Sequence, residues 1–440
     1  MNVDSSAREL DREIWRLAGP AFLTLTAEPL YLLVDTAVVG RIGGDALASL
    51  AVASTILLTS TGVLVFLTFG TAATVARLRG AGRPAEAAEQ SVQGMWLGLG
   101  CGLAAAAVLA VLGVPLTSWL SPSDAVADGA RTYLYISLLG VPAVCVTMAG
   151  TGALRGHVDA RTPLVVTVVA NLVNLAIEVP LVLGLGWGLA GSAAGTVVVQ
   201  WGAAAAYLVV VLRRYGSEIG GRRPDPAVLR HHLRIGRDLF VRTVALRLAF
   251  LSMTAQAGRR GADALSAYQV ALQWWVFLTF LLDGLEAAAQ SLVGLALGAS
   301  DEVLARRTSN RVLGWSATIG AVLGLATVLA RGTIASAFTD DAAIVALVTT
   351  SLVWVGVAQP LNGLASSLDG VLVGAGDQRF LASAMILSLV GLAVLGGTLS
   401  VLDTGLWGVW LALTSFMGLR VLLLGARFRT TAWHRTGAVA

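Results

Sequence analysis

Long apolar runs recur from the N-terminal region to the C-terminus of this 440-residue chain. Several exceed the roughly 18 residues at which an apolar segment indicates a membrane-spanning helix. Only helices and closed barrels satisfy their backbone hydrogen bonds within lipid, and these runs are far too long for barrel strands. The sequence therefore predicts an all-α polytopic protein with the lipid bilayer as its partner. We place twelve transmembrane helices at roughly 14–40, 46–78, 88–113, 126–150, 162–183, 188–212, 234–258, 264–298, 302–330, 341–367, 379–401 and 406–426.

The basic residues of the chain indicate how it is oriented in the membrane. The chain has 30 basic and 26 acidic side chains, and all the basic ones are arginine. Most arginines fall in the predicted loops on the side of the two termini, whereas the opposite loops hold few. The positive-inside rule then predicts that both termini are cytoplasmic. It also explains the high pI without nucleic acid as a partner.

The two halves of the chain resemble each other at a constant offset of 218 positions, as Asp45 and Asp263 illustrate. Several matches at one offset indicate a duplication. Six helices in each half, an even number, give both halves the same orientation, which is a parallel repeat suited to alternating access. The matching segments are RIGGDALASLAVA (41–53) with RRGADALSAYQVA (259–271), GAGRPAEAAEQS (80–91) with GASDEVLARRTS (298–309), and ALRGHVDAR (153–161) with VLVGAGDQR (371–379).

The longest polar segment, between the sixth and seventh predicted helices, divides these halves. We predict five regions from the repeat and from this linker. They are a cytoplasmic N-terminal tail at 1–13, an N-terminal six-helix lobe at 14–212, a cytoplasmic linker at 213–233, a C-terminal six-helix lobe at 234–426 and a cytoplasmic C-terminal tail at 427–440.

Two acids lie inside the first predicted helix. Glu28, Tyr31 and Asp35 recur at i, i+3 and i+7 and so share one helix face. A charged side chain at the bilayer centre costs about 2.5–3.5 kcal/mol on the mildest scale, so this face is expected to point into the lobe. Pro20 can bend the same helix and is the predicted hinge.

The fifth predicted helix carries a similar polar face. Asn171, Asn174 and Glu178 recur at i, i+3 and i+7, and Thr196 adds a hydroxyl from the sixth helix. Together with Asp35 they predict a small polar cavity inside one lobe. Such a cavity can hold a proton shared between Asp35 and Glu178, or it can offer oxygen ligands to Na+.

Several motifs in combination resemble the multidrug and toxic compound extrusion (MATE) transporters, over roughly residues 14 to 426. The resemblance implies a MATE-like fold of two pseudo-symmetric lobes and an antiporter in the bacterial inner membrane. It implies export of small organic molecules, cationic or amphipathic in character, against H+ or Na+, with no other cofactor. The motifs are VDTAVVGRIGGDALASLAVA (34–53), GAGR (80–83) and LRGHVDAR (154–161), and two more point to the DinF branch, LLDGLEAAAQSLVGLALGASD (281–301) and SLDGVLVGAGDQR (367–379).

The resemblance also implies which residues couple transport to the ion. The matching positions are Asp35, Asn174, Glu178 and Thr196, which would carry the proton or bind Na+. The acid in the fifth helix is Glu178, where the family pattern leads us to expect Asp. The paired acids favour the proton, although a Na+ site would use the same oxygens.

The substrate cavity is predicted from polar side chains in both halves. We assign to it Glu28, Tyr31 and Asn171 from the first half and Gln269 and Gln273 from the second. We expect these groups to contact an organic substrate and the protein to act as a monomer.

The second half lacks the acid of the first helix. The position equivalent to Asp35 holds Met253, so the repeat has diverged in function. We predict a polar network of Arg247, Asp283 and Asp369 there, with Arg247 and Asp283 forming an ion pair between the seventh and eighth helices.

Two other classes of function make different demands on the sequence. An embedded enzyme would need a convergent catalytic set, yet the sequence has no HExxH, GxSxG or GxxxxGK[ST] motif, so neither an enzyme nor an ATP site is expected. A flippase for a lipid-linked precursor stays open, because Arg242 and Arg247 could line a basic groove.

Overall fold

The computed structural model describes residues 7–221 and 223–438, apart from the side chains of residues 28, 29, 33 and 231. These residues form helices joined by short turns. In chain order the helices are α1 (Ala7–Gly40), α2 (Gly44–Gly62), α3 (Phe66–Gly80), α4 (Pro84–Leu120), α5 (Asp124–Leu138), α6 (Val141–Gly156), α7 (Arg161–Val179), α8 (Gly188–Tyr215), α9 (Pro226–Gly258), α10 (Ala262–Gly298), α11 (Glu302–Phe338), α12 (Ala342–Gly374), α13 (Gln378–Val401) and α14 (Gly405–Arg429).

The helices group into the twelve membrane segments that the sequence predicts. Ten segments of the described chain are long and apolar enough to cross a membrane, and an eleventh is the bent pair of α5 and α6. The twelfth is α9, which has the length of a span and carries Arg242 and Arg247. The predicted all-α, twelve-helix fold class is confirmed.

In the part of the chain that the structure describes, three segments are interrupted, each in the first half. A single 3-10 turn at Val63–Val65 joins α2 to α3. The helices α5 and α6 meet at a bend of 51°, just before Pro142. After α7 the chain continues as a π-helical turn at Pro180–Gly184, which begins two residues after Glu178. Wide turns of this kind are frequent at functional sites, because they redirect side chains and free backbone groups.

Helices pack closely where small residues face each other. In α11, a Cβ placed on Gly324 would lie only 2.2 Å from the carbonyl oxygen of Gly356 in α12. In the first half, a Cβ on Gly98 of α4 would lie 2.5 Å from the carbonyl oxygen of Cys145 in α6. Contacts between small residues are how membrane helices gain packing energy without a hydrophobic driving force.

Backbone contacts divide the chain into two compact units. The N-terminal unit is Leu23–Gly236, and the C-terminal unit comprises the residues up to Phe22 together with those from Arg237 onward. Both α1 and α9 therefore begin in one unit and end in the other. The limits predicted for the lobes, 14–212 and 234–426, place all of α1 and α9 in a single lobe each, which differs from this division.

The C-terminal unit has an aromatic core. Trp275 of α10 stacks on Trp410 of α14 at 6.2 Å between ring centroids, and Phe250 of α9 meets Trp275 edge-on at 6.3 Å. Tyr268 packs against Trp410 at 5.1 Å. These rings are large and mostly buried, and they hold α9, α10 and α14 together.

The ends of the predicted linker are helical. The helix α8 continues to Tyr215, and α9 begins at Pro226, inside the predicted linker at 213–233. The backbone N–H of Ala227 donates to Asp225 Oδ1 at 2.8 Å, so Asp225 caps α9 and Pro226 takes its first position. The linker is shorter than predicted because this capping signal, not hydropathy, sets where α9 begins.

The described chain after α14, within the predicted cytoplasmic tail at 427–440, packs against the helices. Trp433 is fully buried, and its indole N–H donates to the carbonyl oxygen of Phe428 at 2.9 Å. Arg435 pairs with Asp377 at 3.2 Å, and the N–H of Gly437 donates to the carbonyl oxygen of Leu297 at 3.0 Å. This short segment therefore covers the ends of α10 and α12.

Candidate functional site

The first acid of the candidate site is enclosed by the N-terminal unit. Asp35 lies on α1 with 3% of its surface exposed. Ser192 of α8 donates from its hydroxyl to Asp35 Oδ1 at 3.1 Å. This carboxyl is therefore buried and held between two helices.

A second contact joins the same two helices one turn away. The hydroxyl oxygens of Tyr31 on α1 and Thr196 on α8 lie 3.4 Å apart. Asn174 of α7 donates from Nδ2 to Thr196 Oγ1 at 3.2 Å. Three helices thus meet at Thr196.

The second acid, Glu178, completes the cluster. It occupies the last turn of α7 with no exposed surface, and it faces Asp35 and Ser192. Neither carboxyl oxygen of Glu178 has a hydrogen-bond partner, and neither has Asn174 Oδ1. Burying a charged carboxylate without hydrogen bonds is very costly. The cluster therefore has unfilled capacity for a proton or a cation, and its donor atoms fit either.

The structure thus brings together the four residues predicted to couple the ion, and it adds two that sequence reasoning missed. Ser192 stands four residues before Thr196, so the helical period places both on one face of α8. Tyr133 of α5 is buried beside Asp35 and Glu178. The four-residue spacing between Ser192 and Thr196 could have predicted that Ser192 belongs to the cluster. Nothing in the sequence near Tyr133 indicated that this residue lies beside the acids.

The residues predicted to contact substrate are dispersed. Asn171 donates from Nδ2 to the carbonyl oxygen of Ala27 on α1 at 3.1 Å, so it links two helices. Glu28 belongs to α1, but its side chain lies outside the described set. In the C-terminal unit, Gln269 and Gln273 are both exposed and, four residues apart, share a face of α10. Tyr31 contacts Thr196 and so belongs to the ion cluster as well.

A second buried cluster lies in the C-terminal unit. Asp369 of α12 pairs with Arg242 of α9 and with Arg420 of α14, both at 2.5 Å. Glu286 of α10 lies 3.6 Å from Arg242. All four side chains are less than a tenth exposed. Asp369 therefore compensates two arginines at once, in a cluster that spans four helices.

The predicted pair of Arg247 and Asp283 was wrong. Arg247 is exposed, and within the described part of the chain no ion pair joins it to Asp283. Arg242 is the buried arginine instead. Five helical residues correspond to about 140° of rotation, so Arg242 and Arg247 point to different faces of α9. Asp283 accepts a hydrogen bond from Ser366 at 3.4 Å.

A duplicated set of twelve membrane helices, with polar and acidic side chains buried inside one unit, is an architecture typical of membrane transporters. The chain belongs to the MatE family, whose model matches residues 20–179 and 239–399, one match in each half. It is a multi-pass membrane transporter of the MATE multidrug efflux family and not an enzyme, and its likeness to DNA damage-inducible protein F confirms the predicted DinF branch.

Two relatives and two solved structures show how far the similarity extends. DNA damage-inducible protein F of Escherichia coli (strain K12) is 30% identical over 430 residues, covering 95% of this chain and 92% of its own. Protein DETOXIFICATION 44, chloroplastic, of Arabidopsis thaliana is 30% identical over 455 residues, covering 98% and 85%. A MATE protein solved in a bent conformation matches with a TM-score of 0.89 at 20% identity, covering 98% of both chains. An outward-facing multidrug resistance MATE family transporter matches with a TM-score of 0.86 at 20% identity, covering 96% of both.

Proposed function

We propose that this transporter exports small organic compounds, cationic or amphipathic in character, in exchange for protons bound at Asp35 and Glu178. The observation that carries the proposal is the pairing of these two buried carboxyls, with both oxygens of Glu178 lacking a hydrogen-bond partner. Two carboxyls in one dry site cannot both ionise cheaply, so together they hold one proton that can be exchanged.

The hydrogen bonds of the cluster support the proton over Na+. A sodium ion needs several oxygens with free lone pairs directed at one point. Thr196 accepts from Asn174 and Asp35 accepts from Ser192, so the oxygens of the cluster that lack a hydrogen bond are Oδ1 of Asn174 and the two carboxyl oxygens of Glu178. A proton needs one carboxyl oxygen only, and Glu178 offers two. The sodium alternative would use Asp35, Asn174, Glu178 and Thr196 after these bonds rearrange.

The course of α1 supports alternating access with Pro20 as the mobile point. The chain passes from the C-terminal unit to the N-terminal unit between Phe22 and Leu23, two residues after Pro20. Proline removes one hydrogen bond of a helix and so weakens it locally. Binding or release of a proton at Asp35, on the later part of α1, would therefore be transmitted to this weakened turn.

We place the protein in a bacterial inner membrane as a monomer, with both termini in the cytoplasm. Tyr31, Asn171, Gln269 and Gln273 are the proposed contacts of the substrate, together with Glu28. The ion gradient supplies the driving force, so ATP is not needed.

The test is efflux of ethidium from cells that express the wild type or Asp35→Asn, with pH and sodium gradients imposed separately. We expect a pH gradient alone to drive export by the wild type. Asp35→Asn should fall to the level of cells without the transporter, because it cannot exchange the proton. The matched control is Asp263→Asn, a neutralised acid on an exposed turn, which should behave as the wild type.

Three other results would change the proposal. Export driven by sodium alone would make Asp35 and Glu178 sodium ligands. If neither gradient drives export of any organic cation tested, the extrusion proposal fails and the flippase alternative gains support. Normal pH-driven export by Asp35→Asn would remove Asp35 from the coupling step.

A further inference from the structure

We propose that the first part of α1 and the first part of α9 each bind the phosphate group of an anionic phospholipid through a pair of exposed arginines. The pairs are Arg12 with Arg16 and Arg230 with Arg234. The arginines of each pair stand four residues apart, so both project from one side of the helix. All four side chains are exposed. This role lies beyond transport itself and does not depend on the coupling ion.

The internal repeat relates the two pairs. Arg12 and Arg230 are 218 positions apart, and so are Arg16 and Arg234, which is the offset of the duplication. One pair lies in each compact unit. The positive-inside rule requires basic residues on one side of the membrane, but it sets neither their spacing nor their place in the repeat. The same spacing at equivalent positions is better explained by a shared ligand than by charge alone.

Close packing on the inner face of both helices fixes the direction of the arginines. In α1, Ile14 is buried, and the carbonyl oxygen of Ala18 would lie 2.8 Å from a Cβ placed on Gly284 of α10. In α9, a Cβ placed on Gly236 would lie 2.6 Å from a ring carbon of Phe66 on α3. Neither helix can turn about its axis without a clash, so the arginines stay on the exposed face.

Exposed apolar side chains accompany the arginines. Directly before the second arginine of each pair stands a large apolar residue, Trp15 in α1 and Leu233 in α9, and these side chains are 37% and 47% exposed. Tryptophan is enriched where a membrane meets water, and arginine extends an apolar stem with a charged end. A phospholipid presents a phosphate next to acyl chains, so it matches both the charged and the apolar part of this surface.

The surface beside the α1 pair continues along α11 as an apolar face. The ring of Trp15 meets Trp315 of α11 edge-on, with 5.5 Å between centroids. Trp315, Val322 and Leu329 stand seven residues apart and so share one side of α11, and Val322 and Leu329 are largely exposed. An exposed apolar face on a membrane helix contacts lipid chains. The α1 pair therefore lies at the headgroup end of a lipid-facing surface.

Nearby acids distinguish the two sites. Three acids, Glu9, Asp11 and Glu13, stand close to the α1 pair in the sequence. Asp11 accepts a hydrogen bond from Arg311 Nε of α11 at 2.6 Å, and Glu13 lies 3.6 Å from Arg16. The equivalent positions in α9, 227, 229 and 231, hold no acid. An acid beside an arginine competes with a phosphate, so we expect the α9 pair to bind the lipid more tightly.

The test is native mass spectrometry of the purified protein in detergent, titrated with phosphatidylglycerol and separately with phosphatidylcholine. We expect the wild type to bind two molecules of phosphatidylglycerol and to prefer it to phosphatidylcholine. Arg230→Gln with Arg234→Gln should weaken the tighter site, and Arg12→Gln with Arg16→Gln the other. Each basic residue beside an anionic membrane surface contributes about fivefold to binding, so each double variant should weaken its own site about 30-fold.

Two further variants separate the arrangement of the arginines from their charge. Arg41→Gln with Arg331→Gln removes two exposed arginines that do not form a pair, and it should bind phosphatidylglycerol as the wild type does. Arg230→Lys with Arg234→Lys keeps the charge that directs membrane insertion and so protects folding. It loses the planar fork that binds phosphate through two hydrogen bonds, so it should also weaken the α9 site.

Several results would overturn the inference. The wild type would bind both lipids equally, or both glutamine double variants would bind phosphatidylglycerol as the wild type does. An equal loss in the control variant would show that only net charge matters, and full binding by the lysine variant would remove the fork contact. If inorganic phosphate at the same concentration prevents binding of phosphatidylglycerol, the ligand is free phosphate and the lipid proposal fails.

Discussion

Among single residues, His157 at the end of α6 is a buried titratable group that lies outside the ion cluster. It is buried, its Nε2 lies 3.1 Å from Ser91 Oγ, and its ring stacks on Tyr215 with 3.8 Å between centroids. Burial, together with the positive charge of Arg79, lowers the pKa of His157 to about 4. The imidazole is therefore neutral at cellular pH, and the turn at 154–161 is held by packing.

The lowered pKa of His157 predicts a pH-dependent stability. The unfolded chain binds this proton below about pH 6.5, whereas the folded protein resists it down to about pH 4. Stability is thus complete above about pH 6.5 and is lost as pH falls toward 4, by up to about 3 kcal/mol. Melting temperatures of the wild type and His157→Gln in detergent measure this effect.

The two proteins should differ most near neutral pH and converge as the pH approaches 4, because only the wild type loses this contribution. The control is His434→Gln. His434 lies after α14 and pairs with Glu302, and the melting temperature of this variant should not converge with that of the wild type in the same way. A difference between wild type and His157→Gln that stays constant with pH would contradict the assignment.

Helical periodicity explains why the sequence predicted so much of the ion cluster. Asp35, Asn174, Glu178 and Thr196 each stand on a polar face that an apolar helix cannot turn toward lipid, so they must face one another inside the unit. Helical periodicity does not predict the partner of a buried charge. Asp369 meets Arg242 and Arg420 across three helices, and such a contact depends on helix rotation and packing, which a sequence pattern does not give.

At the scale of elements, the repeat does not determine where helices break. Pro142 and Pro360 are equivalent, yet the chain bends by 51° at the first, while α12 continues through the second. Two residues before Pro142 stands Gly140, and two before Pro360 stands Ala358. Glycine is the weaker helix former by about 1 kcal/mol and alanine the best, so the break follows the glycine. The duplication places the two prolines at equivalent positions, and the local helix propensity determines whether the helix breaks there.

The docked segment after α14 gives a prediction at the same scale. Trp433 is fully buried against Phe428, and Arg306 of α11 stacks on both rings. Replacing a buried tryptophan with alanine typically costs about 3–5 kcal/mol. Trp433→Ala should therefore lower the melting temperature of the detergent-solubilised protein clearly. It should also expose the chain beyond Arg429 to proteases.

The comparison for Trp433 is Trp119→Ala, at the end of α4. Trp119 is 80% exposed, so its loss removes little packing and should leave the melting temperature nearly unchanged. If Trp433→Ala melts and resists proteolysis as the wild type does, the segment after α14 does not stabilise the protein.

For the whole molecule, the sequence predicted the number of membrane segments and not their full length. The segment predicted at 88–113 is the helix Pro84–Leu120, which is 37 residues long. Hydropathy predicts the part of a helix that lies in lipid. The ends of this helix are instead set by the proline at its start and by Ser121, whose backbone is extended after the last turn. The sequence also did not predict the division into two units, because this division depends on which helices the early residues of α1 contact.

The orientation of the whole chain stays a prediction, and it follows from the arginines alone. The turn between α8 and α9 is flanked by Arg213, Arg214 and Arg223, whereas the turn between α4 and α5, at 121–123, has no arginine within it. A reporter inserted into the full chain can compare the two sides. Alkaline phosphatase is active only outside the cytoplasm. It should be active when inserted at 121–123 and inactive when inserted after Gly220, because positively charged turns are retained inside. Green fluorescent protein at the same two places should give the opposite pattern. Phosphatase activity after Gly220, with none at 121–123, would place both termini outside, and the proton would then have to reach Asp35 from the other direction.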